Sequence, residues 1–185
     1  MTDTTYPELL TEIDELASGL PRQEQLTRLY RLIEPLLARV ESEDEEFTDD
    51  PVLSTPEAVR GIRRAAAGEP VDADAIHDHL SLMALVYSED QDPDLHVISQ
   101  SAYAAAGWLR LREGRPLRTS VEDNPDDLLP PFAPTPFSRL VDFLAWTRSE
   151  QIYTCWEDAT AHPDVCDLQS ATDALRAIRD GLRLA

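Results

Sequence analysis

Two cysteines and a histidine near the C-terminus are the residues whose types and spacing come nearest to chemistry. Cys155, His162 and Cys166 follow the pattern C-x6-H-x3-C, and zinc accepts all three side chains as ligands. Structural zinc sites usually place paired cysteines about two to four residues apart, so this spacing matches no zinc finger or ribbon. We therefore expect neither a metal site nor another cofactor.

The same residues suggest a thiol enzyme as an alternative, with Cys155 as the nucleophile and His162 as its base. Cys155 falls on the apolar stripe of a predicted helix, which favours burial, and no activating loop flanks it. A small metal-dependent or thiol enzyme using Cys155, His162 and Cys166 is therefore the second hypothesis, and a non-catalytic protein is the first.

Two further histidines lie on a predicted helix. His77 and His79 are two residues apart, so their side chains point in widely different directions and cannot easily share one metal ion. His77 beside Asp74 or Asp78 is a conceivable site, but a surface histidine among carboxylates is the more usual arrangement.

The charge of the chain limits the classes of molecule that it is expected to bind. It has 36 acidic residues and 16 basic ones, a formal net charge of -20, and every basic residue is arginine. This charge disfavours nucleic acid and anionic membranes, and it favours a basic protein partner. Without lysine, the chain cannot form a lysine Schiff base or a lysine-containing phosphate loop. A host with a high internal salt concentration is another explanation for the acidity.

The acids are concentrated in connecting segments. The segment from Glu41 to Asp50 holds seven acids, no base, and Phe47 as its one apolar residue, while Ser88 to Pro93 forms a second acidic link. A charge run is usually a solvated loop. The alternative is a docking strip for a basic partner, anchored by Phe47. The predicted partner-binding residues are Glu43, Asp44, Glu45, Glu46, Phe47, Asp49, Asp50, Glu89, Asp90 and Asp92.

The stretch from Asp94 to Arg112 predicts a central helix. Its apolar residues recur at helical spacing, and Ala104, Ala105, Ala106 and Gly107 keep its middle thin enough for close approach of other helices. We expect Asp94 to cap this helix.

Helical periodicity appears in six other segments. They are Pro7 to Ala17, Arg22 to Val40, Thr55 to Ala67, Asp72 to Tyr87, Pro136 to Thr160, and Asp167 or Ser170 to Leu182. Pro35 either kinks the second of these helices or starts a new one after Glu34. We expect Arg60, Arg63 and Arg64 of the third to pair with nearby acidic loops.

The fourth of these helices, from Asp72 to Tyr87, has one apolar stripe at helical spacing. The residues that we expect on its buried face are Ile76, Leu80, Met83 and Tyr87.

The segment from Arg115 to Pro136 is rich in proline and will not form a long helix. It is either a surface strap between two helices or a lid over an active site. We expect one domain over residues 1–185, with a weak boundary in the Pro-rich loop 115–136 as the alternative.

Two tryptophans give a third hypothesis. If the helix from Pro136 extends beyond the core near Arg148 and Gln151, then Trp146 and Trp156 are partly exposed and could anchor an oligomer. Alternatively, both tryptophans cover the edges of the core.

These patterns predict an all-α bundle of about seven helices with acidic and Pro-rich connecting loops. The N-terminus has no signal-like pattern, so we expect a cytoplasmic protein with free thiols. The leading function is a non-catalytic acidic protein that binds a basic protein, such as an inhibitor or immunity protein of a nuclease-type toxin. The oligomeric state stays open.

Overall fold

A computed structural model describes residues 4–43, 53–88, 92–117, 135–148 and 167–183. These residues form seven α-helices and no strand, which confirms the predicted all-α bundle. The helices are α1 (Tyr6–Ser18), α2 (Arg22–Ser42), α3 (Thr55–Ala66), α4 (Ala73–Ser88), α5 (Pro93–Arg112), α6 (Pro136–Arg148) and α7 (Leu168–Arg183). No helix in the described part of the chain combines the length and the apolar character needed to cross a membrane.

Local hydrogen bonds stabilise the first turns of α1, α3 and α5. Glu8 accepts a hydrogen bond from the Thr5 backbone N–H at 2.7 Å, and Glu57 accepts one from the Ser54 N–H at 2.8 Å. These bonds lower the pKa of both glutamates. The predicted cap of the central helix was wrong by two residues. Asp92 is the N-cap of α5 and accepts from the Asp94 N–H at 2.9 Å, because Pro93 has no N–H to offer and suits the first turn.

Helix α2 runs without interruption through Pro35. Its buried face includes Leu29, Ile33 and Leu37, and Pro35 itself is exposed. The alternative of a new helix after Glu34 is therefore wrong. The acidic loop was predicted to begin two residues too early, because Glu41 and Ser42 belong to α2.

Helix α5 is central, as its small residues predicted, and it packs against α2, α3, α4 and α6. Ala104 and Ala105 are fully buried, and a Cβ atom added at Gly107 would lie 2.9 Å from Leu140 Cδ2 of α6. Trp108 Nε1 donates to the Leu26 carbonyl of α2 at 2.9 Å. The absence of a side chain at Gly107 thus lets α6 approach α5 closely.

Hydrogen bonds between helices show the relative directions of α2, α4 and α5. Trp108 of α5 reaches Leu26 near the start of α2, and Arg22 at the first position of α2 donates to the Leu111 carbonyl near the end of α5 at 2.6 Å. Helices α2 and α5 are therefore antiparallel. Ser99, near the start of α5, donates to the Ala84 carbonyl near the end of α4 at 2.6 Å, so α4 and α5 are antiparallel as well.

Two of the predicted arginine pairs form on α3. Arg63 lies 2.8 Å from Glu41 at the end of α2, and Arg64 lies 2.8 Å from Glu69 in the turn that follows α3. At the other side of the bundle, Arg179 and Arg183 of α7 both lie 3.2 Å from Glu12 of α1. Ion pairs of this kind orient neighbouring helices more than they stabilise them.

Candidate partner-binding surface

We call one end of the bundle the acidic end. Helices α2 and α4 end there, at Ser42 and Ser88, and α5 begins there, at Pro93. The caps Glu43 and Asp92 lie at the same end, because α5 is antiparallel to both α2 and α4. Residues 44–50 and 89–91 of the two predicted acidic segments, Glu41 to Asp50 and Ser88 to Pro93, lie in the connections between these helices.

Two of the ten predicted partner-binding residues lie in the described part of the chain. Glu43 is the C-cap of α2, where its N–H donates to the Val40 carbonyl at 3.2 Å, and Asp92 caps α5. The other eight lie outside the described residues: Asp44, Glu45, Glu46, Phe47, Asp49, Asp50, Glu89 and Asp90.

The charge is unevenly distributed along the chain. The described residues contain 20 acids and 15 arginines, and the remaining residues contain 16 acids and a single arginine, Arg118. Eight of the described arginines form ion pairs with carboxylates of the same chain, and they are Arg28, Arg63, Arg64, Arg112, Arg115, Arg176, Arg179 and Arg183. Most of the excess negative charge therefore lies outside the described helices.

The largest exposed aliphatic side chains of the described residues lie on one face of α4. Leu82, Leu85 and Val86 are 38%, 44% and 39% exposed. We call these three residues the α4 patch. Sequence reasoning identified the buried stripe of α4 (Ile76, Leu80, Met83 and Tyr87), which the structure confirms, but it missed this second stripe. The signal was present, because the three residues recur at i, i+3 and i+4.

His77 and His79 of α4 do not form a common site. His77 Nδ1 lies 3.2 Å from Asp78 Oδ1, and His77 Nε2 lies 3.3 Å from the Ser81 hydroxyl. His79 is buried, with Nε2 3.1 Å from the Thr55 hydroxyl, and burial lowers the pKa of its imidazole. Among the described residues, no three His, Cys, Asp or Glu side chains are grouped to hold a metal ion.

Asp74, the other proposed partner of His77, is engaged elsewhere. It pairs with Arg115 of the segment after α5, and the hydrogen bond from Arg115 lowers the pKa of the Asp74 carboxyl. The remaining candidates for catalysis or metal binding, Cys155, His162 and Cys166, lie outside the described residues.

A carboxylate is buried in the contact between α1 and α6. Asp142 is 1% exposed, and its Oδ1 accepts from the Tyr6 hydroxyl at 2.5 Å and from Trp146 Nε1 at 3.1 Å. Burial raises the pKa of Asp142 to about 6, although the two hydrogen bonds and nearby Arg139 act in the opposite direction. Both donors come from side chains of the core, so Asp142 is placed to join two helices and not to meet a substrate.

Trp146 belongs to this cluster and is fully buried. The expectation that it is partly exposed and anchors an oligomer is therefore wrong. Its indole packs against the Tyr6 ring, with 5.7 Å between ring centroids, and its N–H needs a buried acceptor, which Asp142 provides. Trp156 and Gln151 lie outside the described residues, and α6 is described as far as Arg148, which is exposed.

A groove of about 700 Å³ lies at the opposite end of the bundle from the acidic end. Its lining includes the apolar side chains of Leu26, Leu29 and Phe137 and the polar side chains of Asp14, Arg22 and Gln25. Arg22 donates to the Leu111 carbonyl, Gln25 donates to the carbonyls of Ala17 and Leu20, and Asp14 accepts a hydrogen bond from the Thr135 hydroxyl. These three polar side chains are therefore hydrogen-bonded to other parts of the same chain. The strap or lid predicted for Arg115 to Pro136 falls mostly on residues 118–134, which lie outside the described residues.

Comparisons with protein-family models, with curated proteins and with solved structures found no match for this chain.

Proposed function

We propose that this chain is a non-catalytic protein that binds a basic protein through its acidic end. The observation that supports this proposal is the convergence of Glu43, Ser88 and Asp92 at one end of the bundle. Two acidic connections that are separate in sequence thereby start from neighbouring positions. A concentrated negative field accelerates encounter with a positively charged partner and disfavours anionic competitors.

The arrangement of the arginines also supports the proposal. Because eight of the described arginines already pair with carboxylates of this chain, they do not offset the charge of the connecting segments. Asp92 is fixed at the start of α5 by its hydrogen bond with the Asp94 N–H, so one carboxylate of the proposed surface is held in place before binding.

The chemistry of this surface fits a particular class of partner. A protein that binds nucleic acid presents arginines and lysines spaced for phosphates, and clustered carboxylates can occupy the same positions. We propose that the chain acts in the cytoplasm as an inhibitor or immunity protein of a nuclease-type toxin. In this role it would block the basic face with which the toxin binds its substrate.

The first test is a capture experiment with the tagged chain and a lysate of the source organism. The same experiment is run with a variant carrying Glu43→Gln, Asp44→Asn, Glu45→Gln and Glu46→Gln. The expected result is a basic protein that the wild type retains at low salt, that rising salt releases, and that the variant does not retain.

A matched control removes four exposed acids from other parts of the surface: Glu15→Gln, Glu34→Gln, Glu69→Gln and Asp180→Asn. It changes the net charge by the same amount, so a general charge effect would weaken capture equally in both variants. Equal capture by the wild type and both variants would contradict the proposal, and so would equal loss in both variants.

A further inference from the structure

The α4 patch exposes apolar surface beside a strongly acidic region. Leu82, Leu85 and Val86 lie in the second half of α4, which finishes at the acidic end. Asp78, whose side chain is 83% exposed, precedes Leu82 by four residues and so lies on the same face of the helix. Glu89 and Asp90 follow Val86 three and four residues later in the sequence.

This arrangement has the composition of a protein–protein interface. Such interfaces have an apolar centre, where most of the binding free energy arises, and a polar rim that shields it from water. On α4, the apolar centre is the α4 patch, and the exposed carboxylate of Asp78 lies on the same face of the helix, one turn before Leu82.

We infer that the α4 patch is the apolar anchor site for the same basic partner, whose binding face carries large apolar side chains between basic ones. This inference rests on the proposed function, because the acidic rim is what selects a basic partner. It adds a second requirement, namely that positive charge alone does not give full affinity. The aliphatic side chains of the partner would cover Leu82, Leu85 and Val86 and exclude water from the charged pairs around them.

A second copy of this chain does not fit the patch. In either helix direction, a two-fold symmetric contact through α4 would bring acidic surfaces together, because Asp78 precedes the patch, the acidic end follows it, and each chain has a net charge of -20. The charge of the rim therefore favours a basic partner over self-association.

The test uses two synthetic helical peptides of equal length and equal positive charge. One carries leucines between its lysines, and the other carries alanines in their place. Their affinities for the full chain are measured by fluorescence anisotropy. We compare three proteins. They are the wild type, the patch variant Leu82→Gln/Leu85→Gln, and a control that places glutamines at two exposed alanines, Ala67→Gln/Ala177→Gln.

The expected result is that the patch variant binds the leucine peptide about tenfold more weakly than the wild type, while its affinity for the alanine peptide is unchanged. That factor is the order expected for the exposed part of two leucine side chains losing burial. The alanine control should bind both peptides as the wild type does. An unchanged affinity of the patch variant for the leucine peptide would overturn the inference.

The acid-neutralised variant at Glu43, Asp44, Glu45 and Glu46 separates this inference from the proposed function. If that variant weakens binding of both peptides and the patch variant weakens neither, the electrostatic function survives and the inference is overturned. If the patch variant weakens binding of the leucine peptide and the acid-neutralised variant has no effect, the patch is supported and the role of the acidic end is overturned.

Discussion

The contact between α1 and α6 buries a carboxylate, whereas the outer face of α4 exposes three large aliphatic side chains. Asp142 is 1% exposed, and Leu85 is 44% exposed. Each region thus places a side chain in the solvent environment that it normally avoids. The difference lies in the partners: Asp142 accepts two hydrogen bonds from Tyr6 and Trp146, while the exposed part of Leu85 faces solvent.

The cluster around Asp142 is needed for folding, whereas the α4 patch is available for binding. A buried carboxylate without donors would cost several kcal/mol, so Tyr6, Asp142 and Trp146 have to be kept together for folding. The exposed surface of the α4 patch contributes nothing to folding, because water contacts it in both the folded and the unfolded chain. Substitutions should therefore affect stability in the first region and leave it nearly unchanged in the second.

The largest effect is expected from two leucines of α4 that differ only in the direction they face. Leu80 is fully buried and Leu82 is 38% exposed. Leu80→Ala should lower the free energy of unfolding by about 2–5 kcal/mol, because it leaves a cavity in the core. Leu82→Ala should lower it by less than about 1 kcal/mol. Urea denaturation of both variants measures the difference, and similar losses would show that the α4 patch is part of the core.

The next effect concerns the pH dependence of stability at Asp142. Burial raises its pKa from the usual 3.8 to about 6, so the folded chain holds this proton more tightly than the unfolded chain does. The contribution of Asp142 is therefore fully present below about pH 4 and is lost as the pH rises through 6. The loss is on the order of 3 kcal/mol, since one pKa unit corresponds to about 1.4 kcal/mol.

Asp142→Asn isolates this contribution, because the variant shares every other titrating group with the wild type. The stability of the wild type minus that of the variant should fall between about pH 4 and pH 6 and then level off. Asp173→Asn is the control of opposite sign: hydrogen bonds from Gln169 and Arg176 lower the pKa of Asp173, so its contribution is lost as the pH falls. A difference for Asp142 that rises with pH would mean that its two hydrogen bonds outweigh burial.

How far the sequence predicted these regions depends on the distance over which each signal acts. Helical periodicity is local, so it identified α1 to α5 to within a few residues and gave the buried stripe of α4. Caps were placed less well, because Asp92 and Asp94 are both good capping residues and only the position of Pro93 decides between them.

Asp142 could not be recognised in the same way. Its donor Tyr6 is 136 residues away in sequence, and nothing near Asp142 indicates that a hydroxyl from the first helix will reach it. The expectation that Trp146 is partly exposed was wrong as well. The polar residues after it suggested that the helix leaves the core, and its contact with the Tyr6 ring is just as distant in the sequence. The acidic end also depends on tertiary packing, because only the antiparallel contacts of α5 with α2 and α4 bring its two connections together.

The smallest effect compares a glycine on an inner face with one on an outer face. A Cβ atom at Gly61 of α3 would clash with Ile76 Cδ1 and lie 3.0 Å from its Cγ1, and Ile76 is itself buried, so its side chain has little room to move. A Cβ atom at Gly181 of α7 would meet nothing within 4 Å. Alanine favours a helix by about 1 kcal/mol over glycine, so Gly181→Ala should stabilise the chain by about 0.5–1 kcal/mol. Gly61→Ala gains the same preference but overpacks the α3–α4 contact, which costs about 1–3 kcal/mol, so it should be neutral or destabilising. Thermal denaturation of both variants tests the pair, and equal stabilisation would show that α3 and α4 are packed more loosely than the contact at Gly61 indicates.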